Sequence, residues 1–321
     1  MEGATHGTIT DSPDFNPNKD AELLRNAMKG IGTDENAITD IIGCRSNNQR
    51  QEIRTQFAAM YGKELMKELK SELSGNYEKA IIGLVMTPLE FDAYQCNEAL
   101  TSVNTDEKCL IEILCTRSNA QILALRDAYE RIYKKYLERV IQNETSGHFK
   151  KLLYALVQGH REGNEEPVDT EKVKKDAQDL YNAGEKRLGT DESRFNVVLA
   201  SRSFSHLRLV FDEYQTLTQH TMEQAIESEM SGDLRDGMVA IVKCTRNIQS
   251  FFAEQLYKSM KGLGTNDSTL IRILVSRSEI DLVEIKEEFQ RRYSKTLESF
   301  IQGDCSGDYK KVLLKLCVGN R

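Results

Sequence analysis

The chain has 321 residues, of which 39% are hydrophobic and 29% charged, with no tryptophan and a formal net charge of −7. That acidic balance argues against nucleic acid as a partner, and against binding an anionic membrane by charge alone; such a contact needs a bridging cation. No stretch of about 18 apolar residues exists to cross a bilayer, and no basic segment precedes an apolar run at the N-terminus, so a soluble cytoplasmic protein without a signal peptide is expected.

Residues 1–17, with two prolines and few apolar side chains, read as a flexible head. Leu23, Leu24, Ala27 and Met28 then suit a helix that runs into a glycine-rich loop, Met28-Lys29-Gly30-Ile31-Gly32-Thr33-Asp34. Thr33 is expected to cap the next helix, with Asp34 and Glu35 in its first turn and Ile38, Ile41 and Ile42 on its apolar face. Ile53, Phe57 and Met60 mark a third helix, Leu65 and Leu69 a fourth, and Ile81, Leu84 and Val85 a fifth that stops before Pro88. No strand pattern competes with these five short helices.

The same arrangement recurs. Thr33, Thr105, Thr190 and Thr265 open four similar stretches, spaced by 72, 85 and 75 residues. An Arg-Ser pair stands twelve residues after each threonine, at Arg45, Arg117, Arg202 and Arg277. An acid followed by x-Ser-Gly stands 39 residues after each, at Glu72, Glu144, Glu229 and Asp304. Three landmarks in register four times imply an all-α chain of four homologous five-helix units, at 18–88, 89–160, 172–247 and 248–321. The polar, turn-rich stretch from Arg161 to Pro167 reads as part of a linker over 161–171 that divides the chain into two halves of two repeats each.

Spacing also suggests chemistry. Glycines at alternate positions, Gly30 and Gly32, let the backbone turn so that several carbonyl oxygens face one side, and Glu72 can reach in from a neighbouring loop. An all-oxygen set with a single carboxylate suits a hard cation such as Ca²⁺, which takes about 6–8 oxygens, far better than zinc. The D-x-[DN]-x-[DN]-G run of an EF-hand is missing, so one carboxylate leaves the ion under-neutralised and its affinity weak. The seven cysteines, Cys44, Cys96, Cys109, Cys115, Cys244, Cys305 and Cys317, show no C-x-x-C spacing and read mostly as reduced core residues, with any pairing of the last three left open.

These residues resemble the annexins, four-repeat, all-helical proteins that bind phospholipid in a Ca²⁺-dependent way. The resemblance covers residues 18–321, and the M-K-G-x-G-T loop with its acid 39 residues later is its most specific part. It implies a slightly curved disc with calcium loops on the convex face and the head on the concave one. It also implies ligand sets: the carbonyls of Met28, Gly30 and Gly32 with bidentate Glu72, and those of Met260, Gly262 and Gly264 with Asp304. In the third repeat the set is Gly184, Arg187 and Gly189 with Glu229. The second repeat departs from the pattern, with Leu100, Ser102 and Asn104 beside Glu144; serine tolerates positive φ poorly, so a weaker or empty site is expected.

Ile31, Val103, Leu188 and Leu263 occupy the loop tips, either packed beneath the loops or free to insert among lipid headgroups beside Lys29, Lys186 and Lys261. Arg45, Arg117, Arg202 and Arg277 are read as structural, bonded to nearby carbonyls or acids. Glu112 and Arg272 interrupt dense apolar runs at equivalent positions, which suggests a pair facing across the axis between halves. The family resemblance places them with Asp92 and Arg117 along a central polar passage.

The reading is therefore a peripheral protein that joins acidic phospholipid through Ca²⁺ at a cytoplasmic membrane surface. The alternative is a helical repeat scaffold for protein partners. A partner for the head and self-assembly on the bilayer stay open. An enzyme is not expected: no P-loop, H-E-x-x-H or nucleophile elbow is present, and the five histidines form no recognisable site.

Overall fold

The structure, a computed structural model, describes residues 4–164 and 167–320. Glu165 and Glu166 of the expected linker, the first three residues of the expected head and Arg321 lie outside the described residues. Twenty α-helices and no strand are found among the described residues. The first stretch holds α1 (Pro17–Ala27), α2 (Glu35–Ile42), α3 (Asn47–Tyr61), α4 (Leu65–Glu72) and α5 (Gly75–Val85). The second holds α6 (Pro88–Thr101), α7 (Glu107–Thr116), α8 (Asn119–Tyr133), α9 (Leu137–Glu144) and α10 (Gly147–Val157). Next come α11 (Thr170–Ala183), α12 (Glu192–Ser201), α13 (Phe204–Thr218), α14 (Met222–Glu229) and α15 (Gly232–Arg246). The chain ends with α16 (Ile248–Met260), α17 (Asp267–Arg277), α18 (Leu282–Tyr293), α19 (Leu297–Asp304) and α20 (Gly307–Val318).

Two compact units result, and they correct the expected division into sequential halves. One comprises residues 1–91 and 252–321, the other residues 92–251. The cause is which apolar faces meet. In the first unit α5, buried through Ala80, Ile81, Leu84 and Val85, packs on α17 and α20, and α2 packs on α20. In the second, α7 packs on α15 and α10 on α12.

The Arg-Ser pairs join each repeat internally. Arg45 donates to both oxygens of Asp20, Arg117 to both of Asp92 and Arg202 to both of Asp176. The following serines, Ser46, Ser118 and Ser203, accept hydrogen bonds from the backbone at the starts of α3, α8 and α13. The last repeat differs. Phe252 stands where the acid would be, Arg277 lies over its ring at 4.7 Å, and the guanidinium pairs instead with Asp281.

The late start of α18 leaves the backbone near Ser278 free to receive the N-terminal segment, which is therefore not a flexible head over its described residues. The N–H of Ile9 donates to Ser278 O at 3.0 Å, the Thr8 hydroxyl to Leu316 O at 2.6 Å, and the N–H of Val283 to His6 O at 3.1 Å. The approach is close enough to require glycine: a Cβ on Gly7 would lie 2.4 Å from the Glu279 backbone. Ile9 is buried, and Ser12 accepts from Arg45 and through its carbonyl from Gln49. With backbone groups of His6, Thr8, Ile9, Thr10 and Ser12 hydrogen-bonded and an apolar side chain covered, this strap is part of the first unit.

Candidate cation loops

Each loop between the first and second helices of a repeat is closed by one backbone hydrogen bond. Asp34 N–H donates to Ala27 O at 2.9 Å, Asp106 to Ala99 at 2.9 Å, Asp191 to Ala183 at 2.8 Å and Asn266 to Ser259 at 2.7 Å. The closing residue is also the N-cap of the second helix: the Asp34 carboxylate accepts from Ala37 N–H, and Asp106, Asp191 and Asn266 act alike. This corrects the expectation that Thr33 caps α2. Relieved of that task, the Thr33 hydroxyl donates to Glu72 Oε2 at 3.2 Å, Thr190 to Glu229 Oε2 at 2.7 Å and Thr265 to Asp304 Oδ2 at 2.6 Å. The threonine thus fastens the distant acid to its loop. Sequence reasoning missed that role, although the fixed 39-residue spacing was its trace.

In the first and last loops Gly30 and Gly32 adopt φ of 111° and 87°, and Gly262 and Gly264 of 115° and 87°. These values are open to glycine at little cost. Among the described residues no donor occupies the carbonyls of Met28, Gly30 and Gly32, or those of Met260, Gly262 and Gly264. Three free carbonyls and one fastened carboxylate thus surround each loop, a donor set that fits a hard cation. No group of three or more His, Cys, Asp or Glu side chains able to hold a metal occurs among the described residues, so backbone oxygen must supply most of any ligation here. Cys305, next to Asp304, is pushed up to about 11 by burial and then by Asp267 and Asp304, so it stays a thiol and does not compete as a thiolate.

The third loop is one residue longer between its closing partners, Ala183 and Asp191. Gly189 has φ of 80°, and Gly184 O already accepts from Arg187 N–H at 3.0 Å. The second loop is different in kind. Neither Ser102 nor Asn104 has positive φ, and the Ser102 hydroxyl donates to the carbonyl of Asn104, one of the expected ligands. Thr105 reaches only the backbone carbonyl of Glu144, at 3.5 Å, so the carboxylate is not fastened to the loop.

Comparison with known proteins agrees with this construction. A sequence model of the annexin family matches residues 19–84, 91–156, 175–241 and 251–316. The chain belongs to the annexin family. It is similar to human annexin A11, 57% identical over 98% of this chain and 62% of the relative, so it spans less than two thirds of that protein's length. Among solved structures it is similar to annexin III, with a TM-score of 0.95 and 46% identity over 99% of this chain and 98% of that one. A structure described as calcium-bound annexin (Sm)1 has a TM-score of 0.85 and 33% identity, covering 98% and 93%. Annexins generally bind phospholipid in a Ca²⁺-dependent way and are not classical enzymes. In this annexin no helix among the described residues is long and apolar enough to cross a membrane.

The loop tips of this annexin are not packed beneath their loops. Ile31 is 110% exposed, Val103 102%, Leu188 104% and Leu263 109% relative to an extended reference. Lys29, Lys186 and Lys261 beside them are exposed as well. Of the expected polar network, Arg117 meets Asp92 at 2.7 and 2.8 Å; burial opposes its charge, but Asp92 and then Glu112 hold the guanidinium above its ordinary value. Glu112 is buried in the same unit, whereas Arg272, also buried, belongs to the other.

Proposed function

We propose that this annexin attaches reversibly to acidic phospholipid at the cytoplasmic membrane surface through calcium held in its loops. The observation that carries the reading is the coincidence, in one loop, of free carbonyls, a fastened carboxylate and a fully exposed apolar tip. Met28, Gly30 and Gly32 offer three backbone oxygens and Glu72 two more, five against the roughly 6–8 that calcium takes, which leaves room for oxygens from outside. Met260, Gly262, Gly264 and Asp304 offer the same set. Bound calcium supplies a double positive charge that one carboxylate only half neutralises, and a lipid phosphate has the charge and the oxygens to complete it.

The side chains around the loop add to this attachment. Ile31 and Leu263 enter the headgroup region, and Lys29, Lys186 and Lys261 each add roughly 1 kcal/mol of attraction to an anionic surface. Calcium and lipid bind cooperatively, because each completes the other's site and the coupling is reciprocal. Gly184, Arg187, Gly189 and Glu229 form a third, altered site. Leu100, Ser102, Asn104 and Glu144 form at most a weak one, since neither Ser102 nor Asn104 takes the positive φ of the glycines and no hydroxyl fastens the Glu144 carboxylate to the loop. Asp92, Glu112 and Arg117 serve as a structural ion-pair network.

Co-sedimentation with phosphatidylserine vesicles is the test: the protein pellets with calcium and is released by chelator. Pelleting that ignores chelator, or none at all with calcium, would refute the reading and return the loops to being turns of a protein-binding scaffold.

A further inference from the structure

The third loop carries a feature that its counterparts lack. Its extra residue brings Glu185 into the turn, and the Glu185 carboxylate is held from two sides. The Tyr214 hydroxyl donates to Oε1 at 2.7 Å, and His220 Nδ1 lies 3.0 Å from Oε2. Tyr214 projects from the buried face of α13 with its ring fully covered, and His220 sits in the turn between α13 and α14. Burial first, and then the Glu185 carboxylate, raise the Tyr214 phenol above its ordinary value, so it remains a protonated donor.

The equivalent positions show that this grip is particular to one repeat. Phe57, Tyr129 and Phe289 stand where Tyr214 does, 24 residues after the repeat threonine. Two have no hydroxyl, and that of Tyr129 donates to Asn97 rather than into a loop. Lys63, Lys135 and Lys295 stand where His220 does, and a lysine cannot present a ring nitrogen to a carboxylate. The consequence for the backbone is direct. Glu185 directly follows Gly184, Lys186 N–H donates to Tyr181 O at 3.2 Å and Arg187 N–H to Gly184 O at 3.0 Å, so the first half of the loop is fixed where its glycine spacing alone would not fix it.

We infer that Tyr214 and His220, acting through Glu185, are positioning residues that hold the third loop in its cation-binding conformation and substitute for the alternate glycines of the first and last loops. The inference rests on the reading that Gly184, Arg187, Gly189 and Glu229 bind calcium. The three residues touch no ligand themselves; they reduce the ordering that binding would otherwise require.

The test is a calorimetric calcium titration of the full chain carrying Glu72→Gln and Asp304→Asn, which leaves the third loop as the main site. Adding Glu229→Gln should abolish the remaining binding. In the same background Tyr214→Phe, which keeps the buried ring, should weaken calcium binding about tenfold, and Glu185→Gln should do likewise. The two together should be no worse than either alone, which general destabilisation would not produce. The surface change His220→Gln, which cannot unfold the core, should cost about twofold to threefold. Unchanged or tighter binding in Tyr214→Phe, with Glu229→Gln still abolishing it, overturns the clamp and spares the site. Binding that survives Glu229→Gln overturns both.

Discussion

The first and second loops share their closing threonine and aspartate but differ at all five preceding residues, Met28-Lys29-Gly30-Ile31-Gly32 against Leu100-Thr101-Ser102-Val103-Asn104, and they are built to opposite effect. Both lie between the first and second helices of a repeat, both close on an N-capping aspartate, and both have an acid 39 residues after the threonine. In the first, Gly30 and Gly32 take positive φ and leave their carbonyls open. In the second, Ser102 and Asn104 do not, the Ser102 hydroxyl closes on Asn104 O, and Thr105 no longer reaches a carboxylate oxygen. The lesson is that a cation site made chiefly of backbone is written in the residues that permit a conformation. Glu144, the one side-chain ligand expected there, is retained, but no threonine hydroxyl fastens its carboxylate to the loop.

The sharpest way to break that comparison is to remove acids. Glu72→Gln with Asp304→Asn should raise the calcium needed for half-maximal vesicle pelleting by about a hundredfold, whereas Glu144→Gln should change it less than about twofold. A large effect of Glu144→Gln would show the second loop to be a full site. Next in size is the pair Ile31→Ser and Leu263→Ser. Burying such side chains is worth roughly 1.5–3 kcal/mol each, so vesicle affinity should fall about tenfold or more per tip. Calcium binding measured without lipid should stay where it was. Conversely, Ser102→Gly with Asn104→Gly should add about one calcium per chain in a calorimetric count, because both carbonyls become free to turn. The smallest effect concerns the turn after the third helix. Gly62 takes φ of 62° there, but Lys134 is held at 55° in the second repeat. Lys134→Gly should therefore stabilise the protein against urea by about 0.5 kcal/mol, the relieved strain being partly offset by the greater freedom of an unfolded glycine.

Much of this was legible in the sequence because it rests on local rules. Helical spacing at Ile53 and Phe57, the stop before Pro88 and the fourfold register of threonine, arginine and acid identify the helices and the repeat. The expected pairing of the repeat arginines with acids is what Arg45, Arg117 and Arg202 do. What escaped was nonlocal or competitive. Thr33 and Asp34 are both good caps, and only the fold shows that the aspartate caps while the threonine turns to Glu72. The strap at Thr8 and Ile9 has the composition of a loose terminus, but its order depends on backbone groups about 270 to 310 residues away, as in the bonds to Ser278 and Leu316. Of the four apolar residues that suit α1, Leu24, Ala27 and Met28 are buried and Leu23 is exposed, a choice between adjacent leucines that is settled only by the packing of α1 on α3.

The discontinuity of the first unit bears on how the chain is made. Residues 92–251 form a continuous unit that can condense as soon as it has been synthesised. Residues 1–91 cannot complete theirs, since α5 needs α17 and α20 to cover Ile81, Leu84 and Val85, and the strap needs Ser278 and Leu316. At about 5–20 residues per second, that apolar face waits on the order of 10–50 seconds for its partners. Residues 1–91 are therefore finished only after the residues 92–251 that follow them, and a translational pause before α17 would prolong the exposure of the α5 face.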